Sequence, residues 1–135
     1  MILKNLSDGQ ELTLPDDLLW SDEYTWTPAV ASVSYLITGA LLIQSAVRQS
    51  GRHITVVGAP DMAWVQRSTV ERLRQWAALA AAETSGRFVL RFKDAREFTV
   101  VFRHSDTAID AEPVKGLPAQ SDADYYRLIL RFLEI

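Results

Sequence analysis

Cysteine is absent from this chain of 135 residues. Disulfides, thiolate nucleophiles, iron–sulfur clusters and cysteine-built zinc sites are excluded together, and the redox compartment cannot be read. Histidine is scarce, with only His53 and His104 in the chain. A zinc site would need carboxylates to complete it. The glycine-rich phosphate loops, the dinucleotide fingerprint, the His-Glu-x-x-His pair and the Gly-x-Ser-x-Gly elbow are all missing. Residues Met1 to Asp8 have no basic start before an apolar run, so no signal peptide is expected. Charge is also missing from one long stretch, because no acidic or basic residue lies between Glu23 and Arg48. Pro28 to Val47 is long enough to span a bilayer as a helix. Against that reading, the stretch holds Ser32, Ser34, Thr38, Gln44 and Ser45, with Gly39 in its middle. Its order alternates, which predicts strand, bend and strand.

Hydrophobic residues make up 48% of the chain and charged residues 23%, enough apolar surface for one folded domain over residues 1–135. The balance of 14 basic and 17 acidic residues gives a net charge of −3, which provides no global attraction for nucleic acid. There is no internal repeat, low-complexity region or linker.

Along the chain, Ile2 to Leu6 and Glu11 to Leu14 predict a hairpin around the Gly9 turn, stopped by Pro15. Asp16 to Pro28 is irregular and holds Trp20, Tyr24 and Trp26 among acidic residues. These rings either fold back over the core or form a contact surface, since Trp and Tyr are enriched at interface hot spots. Strands are expected over Ala31–Ile37, Ala40–Gln49 and Arg52–Gly58, the last two forming a hairpin around Ser50 and Gly51. The one convincing helix starts at Ser68, where Ser68 and Glu71 have capping-box spacing. Val70, Leu73, Trp76, Ala77 and Ala80 form its apolar stripe, and Gly86 is the expected C-terminal cap. The remainder reads as sheet: Phe88–Phe92, then a turn at Asp94 and Ala95, then Arg96–Arg103, Thr107–Val114 and the closing strand Tyr125–Ile135. Alanine is a poor residue for that turn, where positive φ is wanted. Tyr126, Leu128, Leu130 and Phe132 share one face of the last strand, and the opposite face is apolar enough to suggest partial burial or a partner. The fold class is α+β: an antiparallel sandwich or barrel of about eight or nine strands with one flanking helix near 68–84.

Candidate chemistry is thin. His104, Ser105 and Asp106 are residue types used in triads, but their adjacency fits a surface turn. His53 reads as an ordinary strand side chain. The acidic pairs Asp16–Asp17, Asp22–Glu23 and Asp122–Asp124 lack the ligand number of a calcium loop. Arg87, Arg91, Lys93, Arg96 and Arg103, with Arg127 and Arg131, alternate on strands. They form either a solvated face with cross-strand acidic partners or a contact with an acidic neighbour. The phenylalanines alternate away from them, which argues against a platform for single-stranded nucleic acid.

Taken in order, several stretches resemble small tail-tip proteins of long-tailed bacteriophages, the distal tail or baseplate-hub group. They are Leu18–Pro28, the glycine-centred Ser34–Leu41, Gly51–Val56, Gly86–Phe92 with its return strand Arg96–Arg103, Ala108–Val114 and Asp124–Ile135. The resemblance covers most of the chain from Leu18 onward and rests on structural signatures. It implies a tail-tube-like sandwich or barrel that assembles into rings, with no catalytic residue and no cofactor. It further implies self-association, contacts with other tail proteins, and a place in the virion after assembly in the bacterial host cytoplasm. No membrane partner and no specific nucleic-acid binding are expected, with DNA free to pass through a channel. Trp20, Tyr24, Trp26, Arg91, Arg127 and Arg131 are the candidate interface residues. The alternatives are a small-ligand-binding barrel or small enzyme, and a peptide-binding adaptor that adds a strand at an exposed edge.

Overall fold

The computed structural model describes residues 1–79, 84–118 and 121–135. In chain order its elements are β1 (Ile2–Asn5), β2 (Glu11–Thr13), β3 (Leu19–Trp20), β4 (Ala29–Tyr35), β5 (Leu41–Val47), β6 (His53–Val57), β7 (Trp64–Gln66), α1 (Arg67–Ala77), β8 (Phe88–Arg91), β9 (Glu97–Phe102), β10 (Ile109–Pro113) and β11 (Tyr125–Glu134). The class is α+β, as the residue pattern predicts. Two strands were not expected, Leu19–Trp20 and Trp64–Gln66, both too short for a periodic signal.

Strand β11 organises the body. Its registers place β9 against Phe132–Glu134 and β10 against Tyr126–Leu130, while β6 pairs with Ile129–Leu133 and β7 with Tyr125–Arg127. The overlaps require β9 and β10 to share one edge of β11 and β6 and β7 the other. Among the described residues this gives a nine-stranded antiparallel sheet, in the order β2-β1-β8-β9-β11-β6-β3 with β10 and β7 alongside. The sheet curls back on itself. Trp20, on β3 at one end of that order, stacks on Phe92 at 5.0 Å and meets Phe98 edge-on at 5.4 Å, both from the β8–β9 hairpin.

Period two sets the core. Leu128, Leu130 and Phe132 are fully buried and meet Phe88, Leu90 and Val100 from the neighbouring strands. Phe102 bridges them, with its ring 4.9 Å from Phe132 and 5.3 Å from Phe88. Burial of one such ring stabilises by about 1.5–3 kcal/mol. Helix α1 lies over this core through Leu73 and Trp76, with Val70 and Ala77 half-buried beside them.

The helix differs from expectation at both ends. Its N-cap is Gln66, with no side-chain capping bond, so Ser68 sits inside the first turn and the predicted box is not formed. Carbonyls of the preceding β11 loop do the capping instead: Arg67 N–H donates to Asp124 O at 2.8 Å and Ser68 N–H to Asp122 O at 3.3 Å. The helix stops at Ala77, where Ala78 N–H closes onto Arg74 O at 3.2 Å, well short of 84. Gly86 is part of a separate 3-10 turn, Thr84–Gly86, and caps nothing with positive φ. Ala80, the last predicted stripe residue, lies outside the described residues.

The predicted hairpin around Ser50 and Gly51 is also corrected. Among the described residues β5 pairs only with β4. Both edges of β6 are taken, by β11 and by β3. Gly51, at φ +94°, turns the chain so that its N–H reaches Glu134 O at 2.9 Å rather than closing a turn between β5 and β6.

The β8–β9 turn forms despite its alanine. Ala95 takes φ 70°, and Asp94 holds the turn by accepting from Arg96 N–H at 3.2 Å and Arg96 Nε at 2.6 Å. A side chain in this left-handed region costs about 1–2 kcal/mol, partly offset by the unfolded-state entropy that glycine would add. Ala95→Gly is therefore expected to raise stability by about 0.5–1 kcal/mol in urea unfolding, and a loss of stability would contradict this account of the turn.

Candidate functional site

The uncharged stretch forms an arm. Strands β4 and β5 pair in register from Ala29↔Val47 to Tyr35↔Leu41 and, among the described residues, join no other strand. All fourteen of their residues are exposed. The tip is closed by Leu36 N–H to Ala40 O at 2.8 Å, with Gly39 at φ +84°. At about 3.3 Å per residue the seven paired rungs project roughly 23 Å. A lone two-stranded ribbon is marginally stable in water, and this one has both outer edges unpaired.

The arm has two unlike faces. Val33, Tyr35, Leu41, Ile43 and Val47 share one with Ala29, Ala31 and Ser45, because the registers Val33↔Ile43 and Tyr35↔Leu41 put them opposite each other and the rest follow at period two. The exposures of the first five run from 51% at Leu41 to 77% at Tyr35. The other face carries Ser32, Ser34, Gln44 and Ala46, with Val30 and Leu42. At the apex Ile37 is fully exposed. No helix of the described residues is long and apolar enough to cross a membrane.

The loop before the arm anchors its root. Asp22 is the hub: Oδ1 accepts from Trp20 Nε1 at 2.8 Å and Thr55 N–H at 2.9 Å, and Oδ2 accepts from Thr55 Oγ1 at 2.9 Å. Thr55 Oγ1 in turn accepts from Arg103 Nη2 at 3.0 Å. Arg103 is buried, its Nε lies 3.1 Å from Asp106 Oδ2 without hydrogen-bond alignment, and its Nη1 has no hydrogen-bond partner among the described residues. Arg52 lies 4.6 Å over the Trp20 ring and donates to Glu23 O at 2.9 Å. Arg96 donates to Glu23 Oε1 at 2.7 Å, so the acidic loop is stitched to the β8–β9 hairpin. Arg48 N–H donates to Pro28 O at 2.8 Å and closes the arm at its base.

The candidate interface residues fall into different places. Trp20 is buried in the core of its own chain and is spent there. Trp26 is half-buried beside the arm root, with Arg48, Arg52 and Glu134, while Tyr24 is 91% exposed. The basic residues are paired across strands. Arg91 Nε donates to Glu97 at 2.6 Å, Arg127 is paired with Glu112, and Arg131 Nη1 donates to Thr107 O at 2.7 Å. Arg103, counted with them in sequence, points into the Asp22 network instead of joining an open basic face. His53 and His104 are both exposed, and no group of three or more candidate ligands for a metal occurs among the described residues.

At the far end of β11, Trp64, Val114, Lys115, Ala123, Asp124 and Tyr125 line a cleft of about 420 Å³. The Trp64 and Tyr125 rings are 6.0 Å apart. Sequence reading missed this cleft, since Trp64 belongs to a three-residue strand. It also missed the arm's exposure, although the run of uncharged residues was the available signal. No family model, curated protein or solved structure matches the chain.

Two measurements check these contacts. Asp22→Ala leaves Trp20 Nε1 and the Thr55 amide without their acceptor and is expected to cost about 1–3 kcal/mol in urea unfolding. In the cleft, the Lys115 ammonium and the Ser121 amide hold the Asp124 carboxyl below its usual 3.8. A depressed carboxylate stabilises the fold above that value and loses the contribution as pH falls through the folded one. Lys115→Ala should therefore move the Asp124 titration up toward 3.8 in a carboxyl NMR titration, and an unmoved titration would remove Lys115 as the cause.

Proposed function

We propose that this chain is a structural virion protein, a ring-forming subunit of a phage tail tip or baseplate, and that it works by assembly. The observation that carries the assembly reading is the arm: two seven-residue strands, uncharged, wholly exposed, apolar on one face and unpaired on both edges. Such a surface is rare on a protein that stays alone, because unpaired edges and contiguous apolar area invite other chains. The tail-tip assignment itself rests on the resemblance of the segments named above.

In this reading the arm of each copy lies against a neighbour. Val33, Tyr35, Leu41, Ile43 and Val47 leave water there, and Ser32, Ser34 and Gln44 stay wet. Complete burial of one such apolar side chain stabilises by about 1.5–3 kcal/mol, so five give on the order of 10 kcal/mol gross. Association costs about 4–15 kcal/mol in lost freedom. One arm contact is thus near balance, and closing a ring, where each copy both gives and receives an arm, tips it toward assembly. A net charge of −3 and an uncharged arm give passing DNA little to hold. A histidine converging with an acid in a sheltered site would favour the small-enzyme alternative, and both histidines here lie in the open.

Light scattering on eluting protein over a range of concentrations tests the reading. Wild type is expected to form a closed oligomer of defined mass, seen as rings in negative stain. Val33→Asp with Ile43→Lys should yield monomers that keep the wild-type circular dichroism spectrum, because both positions are exposed in the single chain. A wild type that stays monomeric at high concentration and forms no rings would sink it.

A further inference from the structure

The arm root and the aromatic cleft lie at opposite ends of one strand. The root is tied to the last residue of β11, since Gly51 N–H donates to Glu134 O at 2.9 Å and Glu134 N–H to Arg52 O at 2.8 Å. The cleft is built on the first residue, Tyr125. Ten residues of strand separate these points by about 30 Å. From this polarity, and resting on the assembly reading above, we infer that the arm tip of one copy, Leu36 and Ile37, seats in the Trp64–Tyr125 cleft of the next.

The two surfaces match in chemistry. Two polar groups of the cleft have partners within the chain: Trp64 Nε1 donates to Pro60 O at 3.1 Å, and Lys115 Nζ is paired with Asp124 Oδ1 at 3.1 Å. An occupant meets the two aromatic side chains with Val114 and Ala123, beside this ion pair. The tip presents two aliphatic side chains in a run with no charge from Tyr24 to Val47, so neither side strands an ion in the contact. A volume of about 420 Å³ lies within the range of pockets that take small apolar groups. Two other clefts are less suited, because each carries three charged side chains against the single paired Lys115 and Asp124 here: Asp110, Glu112 and Arg127 in the groove at Val57 and Ile129, and Arg48, Arg52 and Glu134 at the arm root.

Knob and hole are different patches on the same chain, so the contact is heterologous. Each copy has one of each, which propagates head to tail until the rotation closes a ring. A symmetric arm-to-arm pairing would stop at two copies.

Disulfide trapping reads this directly, since the chain has no cysteine of its own. The double variant Ile37→Cys with Ala123→Cys, both at exposed positions, is oxidised and run without reductant. A ladder extending past the dimer is expected, with each single variant giving no comparable linkage. Dimers from Ile37→Cys alone would show tip-to-tip pairing and overturn the inference, as would a monomeric product linked within one chain. Ile37→Asp should lower the oligomer fraction at least tenfold while the chain keeps its wild-type circular dichroism spectrum. An unchanged oligomer in that variant, or an oligomer with no Ile37–Ala123 linkage, overturns the docking site but leaves ring assembly intact. A monomeric wild type overturns both.

Discussion

Backbone hydrogen bonding on both edges of β6 and β11 governs what the rest of the chain can do. Strand β11 is paired along one edge by β9 and β10 and along the other by β6 and β7, and β6 is closed off by β3. A strand that reaches β6 and β11 from the Pro28–Val47 stretch finds β11 paired on both sides and β6 held by β11 and, at Val56 and Val57, by β3. The stretch is fully β-forming, so it pairs with itself and leaves the body as a ribbon. The two-residue strand Leu19–Trp20 occupies the β6 edge at Val56 and Val57 that the expected β5–β6 hairpin would use.

The root of that ribbon is built more firmly than its length suggests. Asp22 gathers three donors, Trp20 fills the core between Phe92 and Phe98, and Arg52 and Arg96 cover the ring from above. Hydrogen bonds to a charged group of this kind are worth more than neutral ones. The acidic, aromatic loop is therefore an anchor for the arm more than a contact surface, and of its aromatic residues Trp20, Tyr24 and Trp26 only Tyr24 is left nearly free. Anchored root and uncovered blade together suit a part that is held in position by its own chain and completed by a neighbour.

Seen as an assembly subunit, the molecule separates its polarities. Some charges on the body are paired across strands, as at Arg91 with Glu97 and Arg127 with Glu112. Exposed ion pairs of this sort contribute little to stability but keep the sheet faces wetted and mutually neutral. Apolar surface without a partner is concentrated instead on the arm and around Trp64 and Tyr125, at the two ends of β11. The proposed head-to-tail contact would use both and leave the paired charges in solvent.

Local pattern was enough for much of this. Period two in Phe88–Phe92, Phe98–Phe102 and Tyr126–Phe132 placed the core faces, because strand geometry sends alternate residues to opposite sides whatever the strand pairs with. The Leu73–Trp76 stripe placed the helix in the same way. The unbroken neutrality of Tyr24 to Val47 marked the arm as unusual, but whether its apolar face is covered depends on which sheet edges remain, and only the tertiary pairing decides that. The same holds for the helix start, where carbonyls of Asp122 and Asp124, far along the chain, replaced the Ser68 cap. It holds too for the Ser50–Gly51 turn and for Asp22, whose partners lie on other strands. Sequence determines what each segment prefers locally; competition for a limited number of hydrogen-bonding edges determines which preferences are met.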